Sequence, residues 1–204
     1  MYKTILLAAL TVATLCLAAP TVASASTAVP NLPTGVDQAY IADGDGNPES
    51  GTFTLQGPLN INSSTGLVIS CANHATVTFA DDGTTAITAY NPTGCTTNIP
   101  GCTASTTATN LNWGDRFGYN TSSGTFKDYI NLSYSMTFGA GCPFSGTFIE
   151  TGLLSPTIAI TGGTLTATFS GGASGSVSGP TGSKTWSGTL TSTSGIGSDT
   201  QLVF

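Results

Sequence analysis

The sequence predicts an all-β protein, specifically an antiparallel β-sandwich of jelly-roll or Greek-key type, disulfide-bonded and preceded by an extended N-terminal arm. Three observations lead to this prediction. Apolar residues alternate with Thr and Ser along many short segments, which is the period of a half-buried strand. No stretch of a dozen residues has a helical period, and Gly (26 residues) and Thr are poor helix formers. Turn residues recur about every 8–12 residues, a spacing typical of antiparallel all-β domains.

The first 25 residues have the pattern of a secretory signal peptide. Lys3 supplies the positive charge, an apolar core covers residues 5–19, and a small-residue cleavage site follows at residues 23–25. The apolar core is shorter than the roughly 20 residues that a membrane-spanning helix needs. We therefore expect cleavage before Ser26 and an exported protein, secreted or associated with the cell surface, without a transmembrane segment.

Residues 26–48 form a separate compositional unit, which we predict to be an extended arm. Pro30 and Pro33 disfavour a helix and favour extended backbone. Residues 49–204 are then expected to form a single sandwich domain.

The arm contains a candidate donor strand, meaning a strand that completes the sheet of a neighbouring copy. The best segment is residues 36–42, because it brings the apolar and aromatic side chains of Val36, Tyr40 and Ile41 into an extended stretch.

The sandwich domain begins at Gly51 and reads as one strand after another. Residues 76–79 and 85–90 form a predicted hairpin, because the Asp81-Asp82-Gly83 turn between them tolerates positive φ. Residues 92–102, rich in Pro, Gly and Cys, are expected to form a loop. The predicted strands cover residues 52–55, 66–70, 76–79, 85–90, 130–138, 144–149, 157–160, 164–169, 184–191 and 199–204.

Four cysteines remain after the signal peptide, and in an exported protein an even set predicts two disulfides. Three pairings exist. We favour Cys95–Cys102 as a local bond and Cys71–Cys142 as a long-range bond, because Cys71 and Cys142 flank strong strand patterns that could pair.

The composition excludes most enzymatic and nucleic-acid-binding functions. Only 7% of the residues are charged, and Arg116, Lys127 and Lys184 are the basic residues that follow the leader. Such a chain has little with which to bind nucleic acid. It has one His and no Gly-x-Ser-x-Gly motif in a strand–helix context. We therefore expect no enzyme activity and no cofactor.

Two short patterns resemble parts of metal sites. His74 follows Cys71 at the spacing of a zinc-ligand pair, but the remaining ligands are missing and export favours disulfides. Residues 43–49 place oxygen-bearing side chains on alternate positions, without the Gly and Glu of an EF-hand. A looser calcium site stays open there, and an acidic turn is the preferred interpretation.

Aromatic residues offer a candidate platform for a carbohydrate or a hydrocarbon. The candidate residues of this platform are Trp113 and Trp186, together with Phe117, Tyr119 and Tyr129. The alternative is that these side chains lie in the core, as aromatics in sandwiches usually do.

Several short stretches are similar to one known family of exported bacterial proteins. They are Gly66-Leu67-Val68-Ile69-Ser70-Cys71, Thr76-Val77-Thr78-Phe79, Ala86-Ile87-Thr88, Asn110-Leu111-Asn112-Trp113 and Gly141-Cys142-Pro143-Phe144-Ser145-Gly146-Thr147. Over residues 50–155 the chain resembles the family named protein activator of alkane oxidation. The resemblance implies a small, surface-associated β protein that promotes contact between cells and hydrocarbons, and it implies no catalytic residues.

These observations predict a structural protein that binds copies of itself. Edge strands with few charges pair readily with other chains, and head-to-tail strand addition builds a homopolymeric filament or biofilm matrix. Two alternatives stay open. One is a monomeric surface-active protein that contacts hydrophobic surfaces, and the other is an adhesive module that binds glycans through Trp113 or Trp186.

Overall fold

The computed structural model describes residues 28–204, so the predicted signal peptide and its cleavage site lie outside the described residues. Within this range the chain forms fourteen strands, all paired antiparallel, and one short 3₁₀ helix at Gly171–Ser174. The prediction of an antiparallel all-β fold is confirmed. The strands are β1 Val36–Gln38, β2 Tyr40–Ala42, β3 Gly51–Ser63, β4 Val68–Phe79, β5 Thr84–Thr97, β6 Ala104–Ala108, β7 Trp113–Asn120, β8 Thr125–Phe138, β9 Gly146–Leu154, β10 Thr157–Thr161, β11 Thr164–Ser170, β12 Gly175–Gly179, β13 Gly182–Ser194 and β14 Gln201–Val203.

The main sheet closes on itself. Its strands follow the order β1-β7-β5-β4-β3-β13-β11-β10-β8-β9-β12, and β6 pairs with β8. The closure comes from two further pairings, β7 with β8 and β12 with β13. The two faces that the sequence predicts for a sandwich therefore belong to one continuous sheet around a common core. The strands β2 and β14 form a separate two-stranded sheet.

Strand alternation fills this core with apolar side chains and leaves the outside to Thr, Ser and Asn. Aromatic rings form its centre. The Tyr90 ring lies 5.3 Å from that of Trp113 and 6.0 Å from that of Trp186, and the Tyr134 ring lies 5.6 Å from that of Trp186. Within the described residues, no helix is long and apolar enough to span a membrane.

The predicted hairpin is confirmed, but the predicted loop after it is wrong in part. Phe79 pairs with Thr85 across the turn, where Gly83 has φ 75°. Beyond residue 90 the second strand continues to Thr97, and Pro92 pairs with Asn73. The pairing of β5 with β7 ends at Ile87, so Pro92 lies where β5 has a paired strand on one side among the described residues. Such an edge is a place where a strand tolerates proline.

The predicted disulfide pairing is wrong. The bonds are Cys71–Cys95, with Cα atoms 4.2 Å apart, and Cys102–Cys142, with Cα atoms 4.4 Å apart. The continuation of β5 places Cys95 opposite the bulge at Cys71. The second bond follows from β6, which pairs with β8 and so brings the loops before and after these strands together. Two disulfides indicate an oxidising environment.

The predicted arm is not separate from the core in this structure. Residues 36–42 form β1 and β2, which pair with β7 and β14 of the same chain. Ala39, Ile41 and Ala42 are at most 1% exposed. The backbone of residues 36–38 and 40–42 is extended, and the buried side chains of this segment lie in the core.

Candidate functional site

The candidate site is the place where the N-terminal segment lies against β7. The predicted arm covered residues 26–48; from here on, the arm means residues 28–42 and the hinge loop means residues 43–50. The first residues of the arm run over the outside of the sheet, where the Asn131 side-chain amide donates to the Ala28 carbonyl at 2.8 Å. Pro30 is buried and Leu32 is half-buried.

The strand β1 takes up the edge of β7 that β5 leaves open. The strand β5 pairs only with Trp113–Arg116 of β7, whereas β1 pairs with residues 118–120 on the same edge. The Ala39 N–H then donates to the Phe117 carbonyl at 3.1 Å. The arm therefore supplies the backbone partners that β7 lacks, which is the geometry of strand addition, made here within one chain.

The side chain of Gln38 fixes the register of β1. Its amide Nε2 donates to the Phe117 carbonyl at 3.0 Å and to the Gly83 carbonyl at 3.1 Å. Gly83 belongs to the β4–β5 turn, so one side chain connects the arm to two neighbouring elements. At the other end of β1, the Thr121 hydroxyl donates to the Gly35 carbonyl at 3.0 Å.

A glycine on β7 makes room for the arm. A Cβ atom at Gly118 would lie 2.5 Å from Val36 Cγ1 and 3.0 Å from Leu32 Cδ2. Carbon atoms normally approach no closer than about 3.5 Å. Gly118 is buried although its backbone has no conformation that requires glycine. Its function is thus steric, since it lets the side chains of the arm approach the strand.

The second half of the arm pairs with the C-terminal strand. Tyr40 lies opposite Val203, and Ile41 lies opposite Leu202. Beyond β14, the Phe204 ring stacks on the Tyr119 ring of β7 with centroids 3.8 Å apart. The two ends of the described chain therefore meet beside the strand that receives the arm.

The hinge loop is exposed and is held by hydrogen bonds within the loop and by one from the Gln201 side-chain amide of β14 to the Asp43 carbonyl at 2.9 Å. The Asp43 carboxylate accepts the backbone N–H groups of Asp45 at 3.0 Å and Asn47 at 2.8 Å, and it also accepts the Asn47 amide. These bonds, that from the Asn47 side chain first, lower the pKa of Asp43. The pattern at residues 43–49 is thus an acidic turn whose first carboxylate is engaged by N–H donors. Residues 28–204 contain no group of three or more His, Cys, Asp and Glu side chains placed to hold a metal ion.

The predicted donor residues lie together in the arm, docked on their own chain. Ile41 is buried in the core, Tyr40 is half-buried in β2, and Val36 is half-buried against Gly118. His74 is exposed on β4 opposite Gln56, and Cys71 beside it is disulfide-bonded.

The predicted aromatic platform is wrong. Trp113 is 1% exposed and Trp186 is 3% exposed, because strand alternation turns both rings inward. Phe117 and Tyr129 are also buried. Tyr119 is half-buried and stacks with the C-terminal ring. Trp113, Trp186 and Phe117 belong to the apolar core, as the alternative interpretation stated, whereas Tyr129 is buried on the outer face of β8 opposite Arg116.

Two buried polar groups were missed by the sequence reasoning. Lys184 on β13 and Glu150 on β9 form a salt bridge of 2.8 Å inside the sheet, and the Thr181 hydroxyl contacts both side chains. Asp115 on β7 and Asp128 on β8 form a second buried group. The alternation of inward and outward residues could have indicated that Asp115 is buried, since it lies two residues from the inward side chains of Trp113 and Phe117.

Comparison with known proteins adds no family to this geometry. No family model matches the chain, and no curated protein and no solved structure gives a match.

Proposed function

We propose that this protein is an exported structural subunit that assembles into extracellular filaments or a biofilm matrix by exchanging its arm with neighbouring copies. The observation that carries the proposal is the seating of β1 on the open edge of β7. A second copy offers the same edge, the same Gly118 recess and the same β14. The arm of one copy can therefore make with a neighbouring copy every contact that it makes with its own chain.

The connections of the arm support an exchange. Neither disulfide includes an arm residue, since the bonds join Cys71 to Cys95 and Cys102 to Cys142. The hinge loop is exposed along residues 44–50. The arm is thus attached to the sheet by non-covalent contacts and by one surface loop. An exchanged arm that does not return to its donor links copies head to tail, and such contacts build open filaments.

The surface of the closed sheet is compatible with dense assembly. Charged residues amount to 7% of the chain, and the outer strand faces carry mainly hydroxyl and amide side chains. Charges on edge strands commonly prevent unwanted pairing. Their scarcity here is consistent with a protein that pairs with itself at the cell surface.

The alternative of a monomeric surface-active protein has less support. Ile149 and Leu153 are exposed on β9 at 60% and 41%, but Thr151 lies between them on the same face. Isolated apolar side chains of this kind are normal on protein surfaces. Glycan binding through Trp113 or Trp186 loses its geometric basis, because both rings are buried.

Electron microscopy of the native exported protein, with and without the arm, tests the proposal. We expect filaments from the full chain and none from a variant that lacks residues 26–48. A synthetic peptide covering residues 28–48 should bind the shortened protein, while a peptide of scrambled sequence should not. Filaments formed by the shortened protein would contradict assembly through the arm.

A further inference from the structure

Two carboxyl groups lie inside the closed sheet next to the strand edge that receives the arm. Asp115 on β7 is fully buried, and Asp128 on β8 is 7% exposed. Asp128 pairs with Phe117, and Asp115 pairs with Ile130, so the two Asp residues are diagonal neighbours on one inner face. Within residues 28–204, neither Asp115 oxygen has a hydrogen-bond partner, and Asp128 Oδ1 has none.

In the described part of the chain, none of the residues that lie opposite the pair or line the cavity beside it carries a positive charge, and the buried Lys184 of β13 is paired with Glu150. From β5, Thr85 lies opposite Asp115, and its buried hydroxyl has no hydrogen-bond partner in the described part of the chain. Tyr90 of β5 lines a cavity of about 30 Å³ with Asp128, but its hydroxyl donates to Asn73. The rest of the cavity wall is apolar, and includes Trp113, Trp186 and Pro156.

The charged residues nearest in sequence point away. Arg116 follows Asp115 and Lys127 precedes Asp128, so strand alternation places both on the outer face. The arm contributes Asp37, which is exposed at the outer edge of β1. The strands packed from across the core, β11 and β13, contribute Phe169 and Leu190 to the cavity wall.

An apolar environment of this kind favours protonated carboxyl groups. Burial raises the pKa of Asp128 to about 8. Burial and the neighbouring Asp128 charge raise the pKa of Asp115 well above its usual range. Ionising the pair would place negative charge where nothing compensates it, unless water enters.

The arm is the element whose removal admits water to this end of the sheet. Phe117 lies between the two Asp residues in the ladder, and its carbonyl accepts both the Ala39 N–H and the Gln38 amide. Ala39 and Ile41 belong to the same apolar core as Phe117 and Trp113. Unseating the arm breaks three register pairs with β7 and three with β14, and no disulfide.

We propose that the Asp115–Asp128 pair is a pH-dependent latch on the arm. The protonated pair keeps the arm seated on its own chain, and ionisation of the pair releases the arm. The latch would regulate the assembly site proposed above, and its purpose rests on that proposed function. The opening and seating of the arm nevertheless take place within one molecule, so they can be measured on the monomer.

The direction of the effect follows from proton binding. The seated state binds more protons than the open state, because its carboxyl pKa values are raised. Seating is therefore strongest below about pH 4 and weakens as the pH rises toward the raised pKa values of the two carboxyl groups, of which that of Asp128 is about 8. Each proton released on opening changes the opening equilibrium by at most about tenfold for each pH unit, so the two groups together change it by at most about a hundredfold.

Hydrogen exchange of the full exported chain, dilute enough to remain monomeric, tests the latch. Protection factors, corrected for the intrinsic pH dependence of exchange, are followed between pH 5 and 9 for residues 34–42 and, as a reference, for β3 and β4. We expect protection of the arm to fall with rising pH across this range, by up to about tenfold for each unit and each ionising group, and protection of β3 and β4 to fall less.

Variants identify the group responsible. Asp128→Asn and Asp115→Asn remove one ionisation each with little change of shape, and we expect either to flatten the pH dependence. Asp37→Asn, an exposed carboxylate on β1 itself, is the matched control and should titrate like the wild-type chain. If neither core variant folds, the wild-type titration decides alone.

Protection of the arm that is constant from pH 5 to 8 would overturn the latch, as would an Asp128→Asn variant that titrates like the wild type. Either result leaves filament formation standing, because that is measured separately by microscopy. A chain that shows the predicted titration but never forms filaments would support the latch and overturn the assembly.

Discussion

The buried salt bridge between Lys184 and Glu150 shows how a single residue is constrained in this fold. Both side chains are at most 1% exposed, and Lys184 also donates to the Gly182 carbonyl at 3.1 Å. Two buried charges are tolerated here because each neutralises the other and because Glu150 Oε1 accepts from both Lys184 and Thr181. Removal of one partner leaves the other charge without compensation.

We expect Lys184→Met to lower the free energy of unfolding by about 3–5 kcal/mol, because it leaves the Glu150 charge alone in an apolar core. The double variant Lys184→Met/Glu150→Leu should recover most of this loss, since the uncompensated charge is gone. Guanidinium unfolding of the oxidised protein measures both. A double variant that is less stable than Lys184→Met would contradict this explanation.

Gly118 is a single small residue whose lack of a side chain determines whether the whole arm can pack against β7. In Gly118→Ala the new Cβ atom conflicts with Val36 and Leu32 of the arm. Overpacking of this degree costs about 1–3 kcal/mol, which is enough to displace a segment that rests on few contacts.

We therefore expect Gly118→Ala to reduce hydrogen-exchange protection of residues 34–42 while β3 and β4 keep theirs. It should also reduce filament formation, because the recess on each neighbour is blocked in the same way. The matched control is Gly172→Ala, whose Cβ meets nothing within 4 Å. Normal filaments from Gly118→Ala would contradict the role of the recess.

At the scale of elements, the sequence predicted what local patterns determine. The β4–β5 hairpin is encoded by alternation and by one turn with Gly83, so a short window suffices. The strands β6 and β7 were not predicted, because their sequences lack a strong alternation of apolar and polar residues. In β7, Gly114 and Asp115 occupy positions where the pattern expects an outward polar and an inward apolar residue.

Pairings between distant segments were outside the reach of the sequence. The disulfides depend on how far β5 continues and on the pairing of β6 with β8, neither of which a single sequence reveals. The seating of the arm depends on an edge of β7 that exists only after the sheet has closed. Extended backbone at residues 36–42 could be predicted, but its partner could not.

At the scale of the whole molecule, a closed sheet limits where copies can meet. Closure removes most strand edges, and a protein without edges does not polymerise through its sheet. The edge of β7 is an exception that the molecule covers with its own arm. In the proposed assembly, folding within one chain and exchange between copies compete for this one set of contacts.

The measurement that tests the exchange most directly uses a disulfide placed across β2 and β14. The double variant Tyr40→Cys/Val203→Cys joins two register partners. In filaments formed under oxidising conditions, our account predicts that each bond links neighbouring chains, so a non-reducing gel shows a ladder of covalent multimers that reduction collapses. The single variant Tyr40→Cys should give no such ladder. Filaments whose chains run only as monomers on the non-reducing gel, with the bond closed inside each chain, would contradict the account.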